Sequence, residues 1–324
     1  MKLSTQRLFD DCYGKYAIAA VNVFTMEQVL GVFEAASVSR SPVIIQTTPV
    51  ARDYAGATMI IAMIDAAAEI FPDVIYALHL DHGVEAHIDS ALSSGKYSSV
   101  MIDASHESFE DNVQRTSAIV KKAHAHGIPV EAELGVLSGV EDDIDVSDSQ
   151  AKYTKPEEVL AFVSQSHCDS LAIAVGTSHG AYKFAGKQGI RFDILAMIQE
   201  MLPKFPLVLH GGSAVNPYHV TRINGFGGSM MTGSRGVKDE EIQKAIPLGI
   251  CKVNIATDLR ILWTAVHREH FYLNPCLFDP IVPGKQYRKE LIEMLVSKFE
   301  LLGSKGKSCN FFGQSNEHLK LRNQ

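Results

Sequence analysis

The sequence has no C-x-x-C pair, and its five cysteines (Cys12, Cys168, Cys251, Cys276 and Cys309) are odd in number and scattered. That argues against a disulfide framework and fits reduced thiols in a cytoplasm, the expected location. No apolar run reaches the length that a bilayer span needs. The opening MKLSTQRLFDD turns charged before an apolar signal core could form, so no secretory signal is expected. Positive charge is not in excess either, since the formal net charge is −7 at pH 7. A general nucleic-acid binder needs a basic face, so neither nucleic acid nor membrane is an expected partner. An acidic total does not exclude a small anionic ligand, because backbone amides and one or two basic side chains hold an anion locally. With 46% apolar and 21% charged residues over 324 positions, the composition is that of a globular chain able to bury a large core.

What is present is a rhythm. Short β-branched or apolar runs at 17–23, 43–47, 74–80, 99–103, 129–134, 170–175, 207–210 and 251–255 alternate with amphipathic stretches at 26–39, 59–70, 86–93, 109–126, 156–166 and 192–202. Apolar strands separated by helix-length segments are repeated βα units around a parallel sheet. Eight such units in a chain of this size predict an α/β fold closed as a (β/α)8 TIM barrel. Thr25, with Gln28 three residues on, predicts a capping box, and Pro156 followed by Glu157 and Glu158 marks another first turn. A Gly-rich insertion around 224–233 precedes the eighth strand, and 258–270 and 286–302 predict extra C-terminal helices. The expected organisation is one barrel domain over 1–303, followed by a C-terminal tail over 304–324.

The strands end in polar residues: Asn22, Gln46-Thr47-Thr48, Asp81-His82, Asp103, Glu133, His179, His210 and Asn254. Burying ionisable groups is costly unless they are paired or bind metal, and barrels place catalytic groups at the C-terminal ends of their strands. His82, His179 and His210 come from three strand ends that converge over the mouth. Three neutral imidazoles around one open position are the donor set of a catalytic zinc. Spacing alone does not establish this, since there is no H-E-x-x-H motif. Any one of the 13 histidines, taken alone, is more often a surface or hydrogen-bonded residue than a ligand. His106, His124, His126, His267, His270 and His318 are read that way. His79 shares a strand face with Asp81 and is expected to orient it. Lys252, two residues before Asn254, can point inward as a Schiff-base lysine, a role that would leave the three histidines without a purpose.

Glycines add a phosphate signal. The segments 176–180, 210–213 and 254–257 follow the last strands, where barrels bind phosphate through backbone N–H groups. Glycine permits close approach, and Ser213 and Thr257 have hydroxyls to donate. Each glycine alone is more often an ordinary tight turn, and it is their coincidence with the His-bearing strand ends that points to phosphate. The acidic loop 138–149 follows the fifth strand and is long enough to close as a lid.

At these residues the sequence resembles the class II fructose-bisphosphate aldolases and their tagatose-bisphosphate relatives. The matching stretches include Tyr16-Ala-Ile-Ala-Ala-Val-Asn22, His79-Leu-Asp-His-Gly83, Val130-Glu-Ala-Glu-Leu-Gly135, Gly176-Thr-Ser-His-Gly180, Leu209-His-Gly-Gly-Ser213 and Cys251-Lys-Val-Asn-Ile-Ala-Thr-Asp258, in family order from residue 16 to about 303. The resemblance implies one Zn2+ per subunit on His82, His179 and His210, with a monovalent cation as a second candidate. It implies Asp81 as the catalytic aspartate, Glu141 as the mobile-loop glutamate, and Asn254 as a substrate contact beside the metal. Asp103 and Glu133 match acidic positions that support the metal or hold it in an alternative site. Asn22, Thr48, Gly180, Lys183, Gly211, Ser213 and Thr257 fall on the substrate and phosphate grip. Arg260 falls where some members reach from a neighbouring subunit towards the second phosphate.

The implied reaction is reversible cleavage of fructose 1,6-bisphosphate, or its tagatose epimer, into two triose phosphates through a zinc-stabilised enediolate, as in glycolysis. The implied assembly is a homodimer or homotetramer. The chain departs from the pattern at Phe24 and Thr25, at Ala256, and at Ile281, where an arginine usually follows Phe278-Asp279-Pro280. The last bears on the second phosphate and so on the preferred epimer. A zinc barrel hydrolase typically carries an H-x-H pair early in the chain, which is lacking here. A non-catalytic scaffold is the other reading, against which the retained ligands, acid and base count.

Overall fold

The computed structural model describes residues 1–137, 139–141, 144–146, 152–178, 180, 189–232 and 236–312. Its strands are β1 (Ile18–Asn22), β2 (Val43–Thr47), β3 (Tyr76–Gly83), β4 (Ser99–Ile102), β5 (Val130–Leu134), β6 (Gly139–Glu141), β7 (Ile144–Val146), β8 (Ser170–Ile173), β9 (Leu207–Leu209) and β10 (Ile250–Ile255). Eight of them close a parallel barrel in the order β1-β10-β9-β8-β5-β4-β3-β2, while β6 and β7, which follow β5 in the chain, pair antiparallel as a separate two-stranded sheet. The helices are α1 (Thr5–Cys12), α2 (Met26–Ser39), α3 (Pro49–Ala55), α4 (Ala57–Ile70), α5 (Glu85–Ser94), α6 (Phe109–His124), α7 (Pro156–Ser166), α8 (Phe192–Met201), α9 (Pro217–Gly225), α10 (Asp239–Ala245), α11 (Thr257–Leu273) and α12 (Ile281–Leu301). Among the described residues no helix is long and apolar enough to cross a membrane.

Local chemistry explains the element starts. Gln28 Oε1 accepts the N–H of Thr25 at 3.2 Å and of Phe24 at 2.7 Å, fixing the entry to α2. Ser4 caps α1 and Thr48 caps α3, each hydroxyl oxygen accepting an amide of the first turn, and Pro49 pre-sets the backbone of α3. The Gly-rich stretch is flanked by two short helices, α9 and α10, whose Asn216-Pro217 and acidic 239–241 starts are ordinary helix signals.

Strand periodicity divides the barrel. Alternate residues such as Val43, Ile45, Leu78, Leu80, Val100 and Ile102 face outward and pack under the helices. The inward set differs between the two ends. At the N-terminal end Ile18, Ala20, Ile44, Ala77 and Cys251 form an apolar floor, closed from below by Leu8, Phe9 and Cys12 of α1. Phe311 joins that cluster and is 4% exposed. Residues 304–312 are therefore not a tail, as expected from sequence, but part of the base. Gly306 N–H donates to Ser39 O and Ser308 N–H to Arg40 O, both at 2.9 Å. Residues 313–324, including His318, lie outside the described residues. Replacing Phe311 by Ala is expected to cost about 3 kcal/mol, the usual loss for a buried phenyl ring. A urea unfolding midpoint that falls with an unchanged slope checks this, and an unmoved midpoint contradicts it.

Candidate metal centre and active site

At the C-terminal end the inward set turns polar. Asn22 of β1, Gln46 of β2, His79 and Asp81 of β3, Glu131 and Glu133 of β5, and Lys252 and Asn254 of β10 all lie on inward positions and are all buried. His210 follows β9 directly and is also buried. A register shift between Ile250 and Lys252 sets β10 relative to β9 at this level.

Lys252 anchors the lower layer. Its Nζ lies 2.6 Å from Glu131 Oε2, donates to His79 Nε2 at 3.2 Å and stands 3.8 Å from Asp81 Oδ1. His79 accepts through Nε2, so its Nδ1–H points to Ser99 Oγ at 2.6 Å. Burial and the neighbouring ammonium push His79 down to about 3, so the ring is neutral. Burial by itself would raise Glu131, but Lys252 and the hydrogen bond from His210 hold it well below the usual carboxylate range. The expectation that His79 orients Asp81 is corrected: its hydrogen bonds go to Ser99 and Lys252. Lys252 does point inward, but as the partner of Glu131.

Asp81 sits above this pair. Asn22 Nδ2 donates to its Oδ2 at 3.0 Å, while Gln46 Nε2 and Asn254 Nδ2 donate to Oδ1 at 2.8 Å and 3.1 Å. Three amide donors converging on one carboxyl are satisfied by its ionised form.

His82 and His210 meet edge to face, with ring centroids 4.8 Å apart. His82 Nδ1 donates to Asp103 Oδ2 at 3.1 Å, which leaves its lone pair on Nε2. Asp103 Oδ1 in turn accepts the Ser105 amide and hydroxyl. Burial would raise Asp103, but these hydrogen bonds hold it well below its usual range. His210 Nε2 donates to Glu131 Oε1 at 3.0 Å, so its lone pair is on Nδ1, 3.5 Å from Glu133 Oε2. Each imidazole is thus fixed in one tautomer by a carboxylate behind it, the arrangement that orients histidine ligands.

Two overlapping groups, Asp81–His82–His210 and His82–Asp103–Glu133, offer ligand atoms lying within 4.8 Å of one another. Among the described residues the Lys252 ammonium faces Glu131 and Asp81, while Asp103 and Glu133 stand by the two imidazoles, so the carboxylates at His82 and His210 are placed to share a divalent cation with them. Imidazole with carboxylate suits zinc and its neighbours. The backbone gives a further sign: His82 adopts φ 45°, a left-handed conformation uncommon outside glycine and concentrated at functional positions.

The rim is held as a unit. Gly211 has φ +66°, and a Cβ there would lie 2.4 Å from Ser178 O, so only glycine fits. Ser213 Oγ accepts the Ala256 amide at 3.3 Å. Asp258 in the first turn of α11 accepts the amides of Ala214 and Val215 at 3.0 Å and 2.9 Å. The loop after β9 is thereby pinned to the N-terminus of α11, where Thr257 is the first residue and the helix dipole favours an anion. Gly180 has φ +79°, in the left-handed region that glycine tolerates. Thr48 Oγ1 serves as the cap of α3, and the Arg260 guanidinium lies 4.7 Å from the centroid of the Phe24 ring. Glu141 ends β6. His179 and Lys183 lie outside the described residues.

The structure brings together Asn22, Asp81, His82, Asp103, Glu133, His210 and Asn254, all foreseen at strand ends. It adds Glu131, the tie between Lys252 and His210, and Asp258, the clamp on the loop. Glu131 was detectable: it stands two residues before Glu133, on the same strand face.

A closed parallel barrel with histidines and carboxylates gathered at its C-terminal mouth is the frame of a metal-dependent barrel enzyme. The family model for class-II fructose-bisphosphate aldolase matches residues 3–307. Fructose-bisphosphate aldolase from Thermus caldophilus is 42% identical over 297 residues, covering 90% of this chain and 95% of the relative. Fructose-bisphosphate aldolase from Giardia intestinalis is 39% identical over 312 residues, covering 94% of each. The crystal structure of the YdjI aldolase from Escherichia coli K12 matches with a TM-score of 0.75 at 29% identity, over 95% of this chain and 100% of that one. The chain belongs to the class II fructose-bisphosphate aldolase family.

Replacing Lys252 by Met is expected to cost about 3–5 kcal/mol, because Glu131 is left buried without its partner. Adding Glu131→Gln to that variant should recover part of the loss in urea denaturation. Strictly additive losses would show that the two do not act as a pair.

Proposed function

We propose that this chain cleaves fructose 1,6-bisphosphate reversibly into dihydroxyacetone phosphate and glyceraldehyde 3-phosphate, as a cytoplasmic zinc enzyme. The observation that carries this reading is Asp81: a buried carboxylate under three amide donors, within 4.8 Å of ligand atoms of His82 and His210. His179 is the proposed third histidine ligand, with Asp103 and Glu133 supporting the ion or holding it in a second position. A bound divalent cation there would act as a Lewis acid on the substrate carbonyl and offset the negative charge that develops beside it.

The protein's own groups divide the remaining work. Asp81 accepts the proton of the C4 hydroxyl as the C3–C4 bond breaks. Asn22, Gln46 and Asn254 hold Asp81 in place by donating to its carboxyl oxygens, and Asn254 also stands beside the substrate. Glu131 and Lys252 hold His210 in its tautomer. Gly211, Ser213 and Thr257, with Gly180, Lys183 and Thr48, hold phosphate at the rim, where fixed orientation lowers the entropic part of the barrier. Glu141, carried on the loop after β5, returns a proton to carbon. Arg260 reaches the second phosphate of a neighbouring subunit in a dimer or tetramer.

The fructose preference draws support from the relatives at about 40% identity, which are named for fructose bisphosphate. The Ala256-Thr257-Asp258 stretch favours the tagatose epimer as the second reading, and Ile281 bears on how the second phosphate is held.

Coupled assay of triose phosphate release tests the proposal. Chelation is expected to abolish turnover and zinc to restore it, while borohydride added with substrate leaves the protein mass unchanged. A substrate adduct on a lysine would refute the metal route. Glu141→Ala is expected to lower turnover by about 10²–10⁴-fold with zinc content retained, the range for loss of a general acid or base. Loss of zinc from that variant would contradict the assigned role. Faster cleavage of tagatose than fructose bisphosphate would favour the second reading.

A further inference from the structure

Away from the barrel mouth, between α3, the start of α4 and α5, lies a pocket of about 410 Å3 lined by Arg52, Asp53, Gly56, Ala57, His87 and Ser90 among others. Arg52 is 3% exposed and carries a full charge into the helical layer. Its Nη1 donates to the His87 main-chain oxygen and its Nη2 to Ser90 Oγ, both at 2.8 Å, and the guanidinium lies 5.4 Å from the centroid of the Tyr97 ring. These partners are all neutral. Its Nε–H is buried and meets no acceptor among the described residues. The carboxylate on the pocket wall, Asp53, is engaged at 3.3 Å with His87 Nε2 instead. A buried arginine almost always has an anionic partner, because an uncompensated charge in the interior is costly.

The opposite wall offers the complementary feature. Helix α4 runs from Ala57 to Ile70, begins after Gly56, has no side-chain cap, and carries no acidic residue in its first turn. The amide of Ile60 is the first to find a helical acceptor, Gly56 O. The amides of residues 57–59 are therefore free of helix bonds at the positive end of a helix dipole. Gly56 and Ala57 border the same pocket as the guanidinium.

The geometry points to an anion site here, distinct from the barrel mouth, that takes a phosphate group, free or on a small metabolite. Arg52 and the start of α4 border one pocket, so the guanidinium hydrogens not taken by His87 and Ser90, together with the α4 amides, are the donors offered to phosphate oxygens. Arg52 lies one helical turn beyond Thr48, whose hydroxyl caps α3 at the rim of the mouth, so the two sites share a helix.

Crystals of the metal-loaded enzyme grown with sodium tungstate, a heavy analogue of phosphate, are expected to show an anomalous peak between the Arg52 guanidinium and the Ala57 amide. Arg52→Gln removes the cation, and Ala57→Asp puts a carboxylate where the anion would sit. Both variants are expected to lose that peak. If Arg52→Gln fails to fold, Ala57→Asp, at a partly exposed position, decides the matter alone. In solution, the rise in Tm caused by inorganic phosphate is expected to fall by about half in Ala57→Asp, since one of two stabilising sites is gone. Water alone in the wild-type pocket, a peak that survives the substitutions, or a phosphate response equal in wild type and Ala57→Asp overturns the proposal.

Discussion

The ion pair between Lys252 and Glu131 underlies the whole upper half of the barrel. Taking one ammonium and several carboxylates out of water costs several kcal/mol per charge, and only close pairing with satisfied hydrogen bonds recovers it. The 2.6 Å contact meets that condition and does more. The second oxygen of Glu131 is free to fix His210, and the ammonium also faces Asp81 and His79. One lysine thereby determines which nitrogen of a histidine carries the lone pair, and lets carboxylates stand ionised beside it. Remove it, and the histidine and aspartate above lose their reference.

The barrel separates stability from chemistry along its axis. Its lower interior is a small apolar cluster of α1 and Phe311 with Ile18, Ile44 and Ala77. Its outer faces pack under helices in a continuous core. The same strands that are mostly apolar outward and below become Asn, Gln, Asp, Glu, His and Lys inward and above. A side chain there sits on a strand whose position is fixed by neighbours on both sides, so a geometry costly in charge is held without freedom to relax. The rim follows the same logic, with Asp258 clamping two successive amides of the loop after β9.

Much of this was legible in the sequence, and the reasons are specific. Strand 43–47 and helices 26–39 and 156–166 match their observed bounds, because turn chemistry and β-branching leave little ambiguity there. The polar strand ends were visible as a group, and eight of the side chains named there, Asn22, Gln46, Asp81, His82, Asp103, Glu133, His210 and Asn254, join in one network through Lys252 and Glu131. What escaped was pairing. Nothing local says that Lys252 meets Glu131, 121 positions away, or that His79 turns to Ser99 and not to Asp81. Short helices such as α1 and α3 escaped because few apolar repeats fit into so few residues. The packed base over 304–312 escaped because its single buried ring, Phe311, has meaning only against α1.

The claim on which the account turns is that His82 and His210 present their lone pairs, from Nε2 and Nδ1 respectively, to one shared divalent ion. Anomalous diffraction at the zinc edge on zinc-loaded crystals measures this directly. The account predicts one strong peak at the barrel mouth bonded to His82 Nε2 and His210 Nδ1, with Asp103 and Glu131 on the far nitrogens. A peak elsewhere, or one bonded to the opposite nitrogens of these rings, would contradict it.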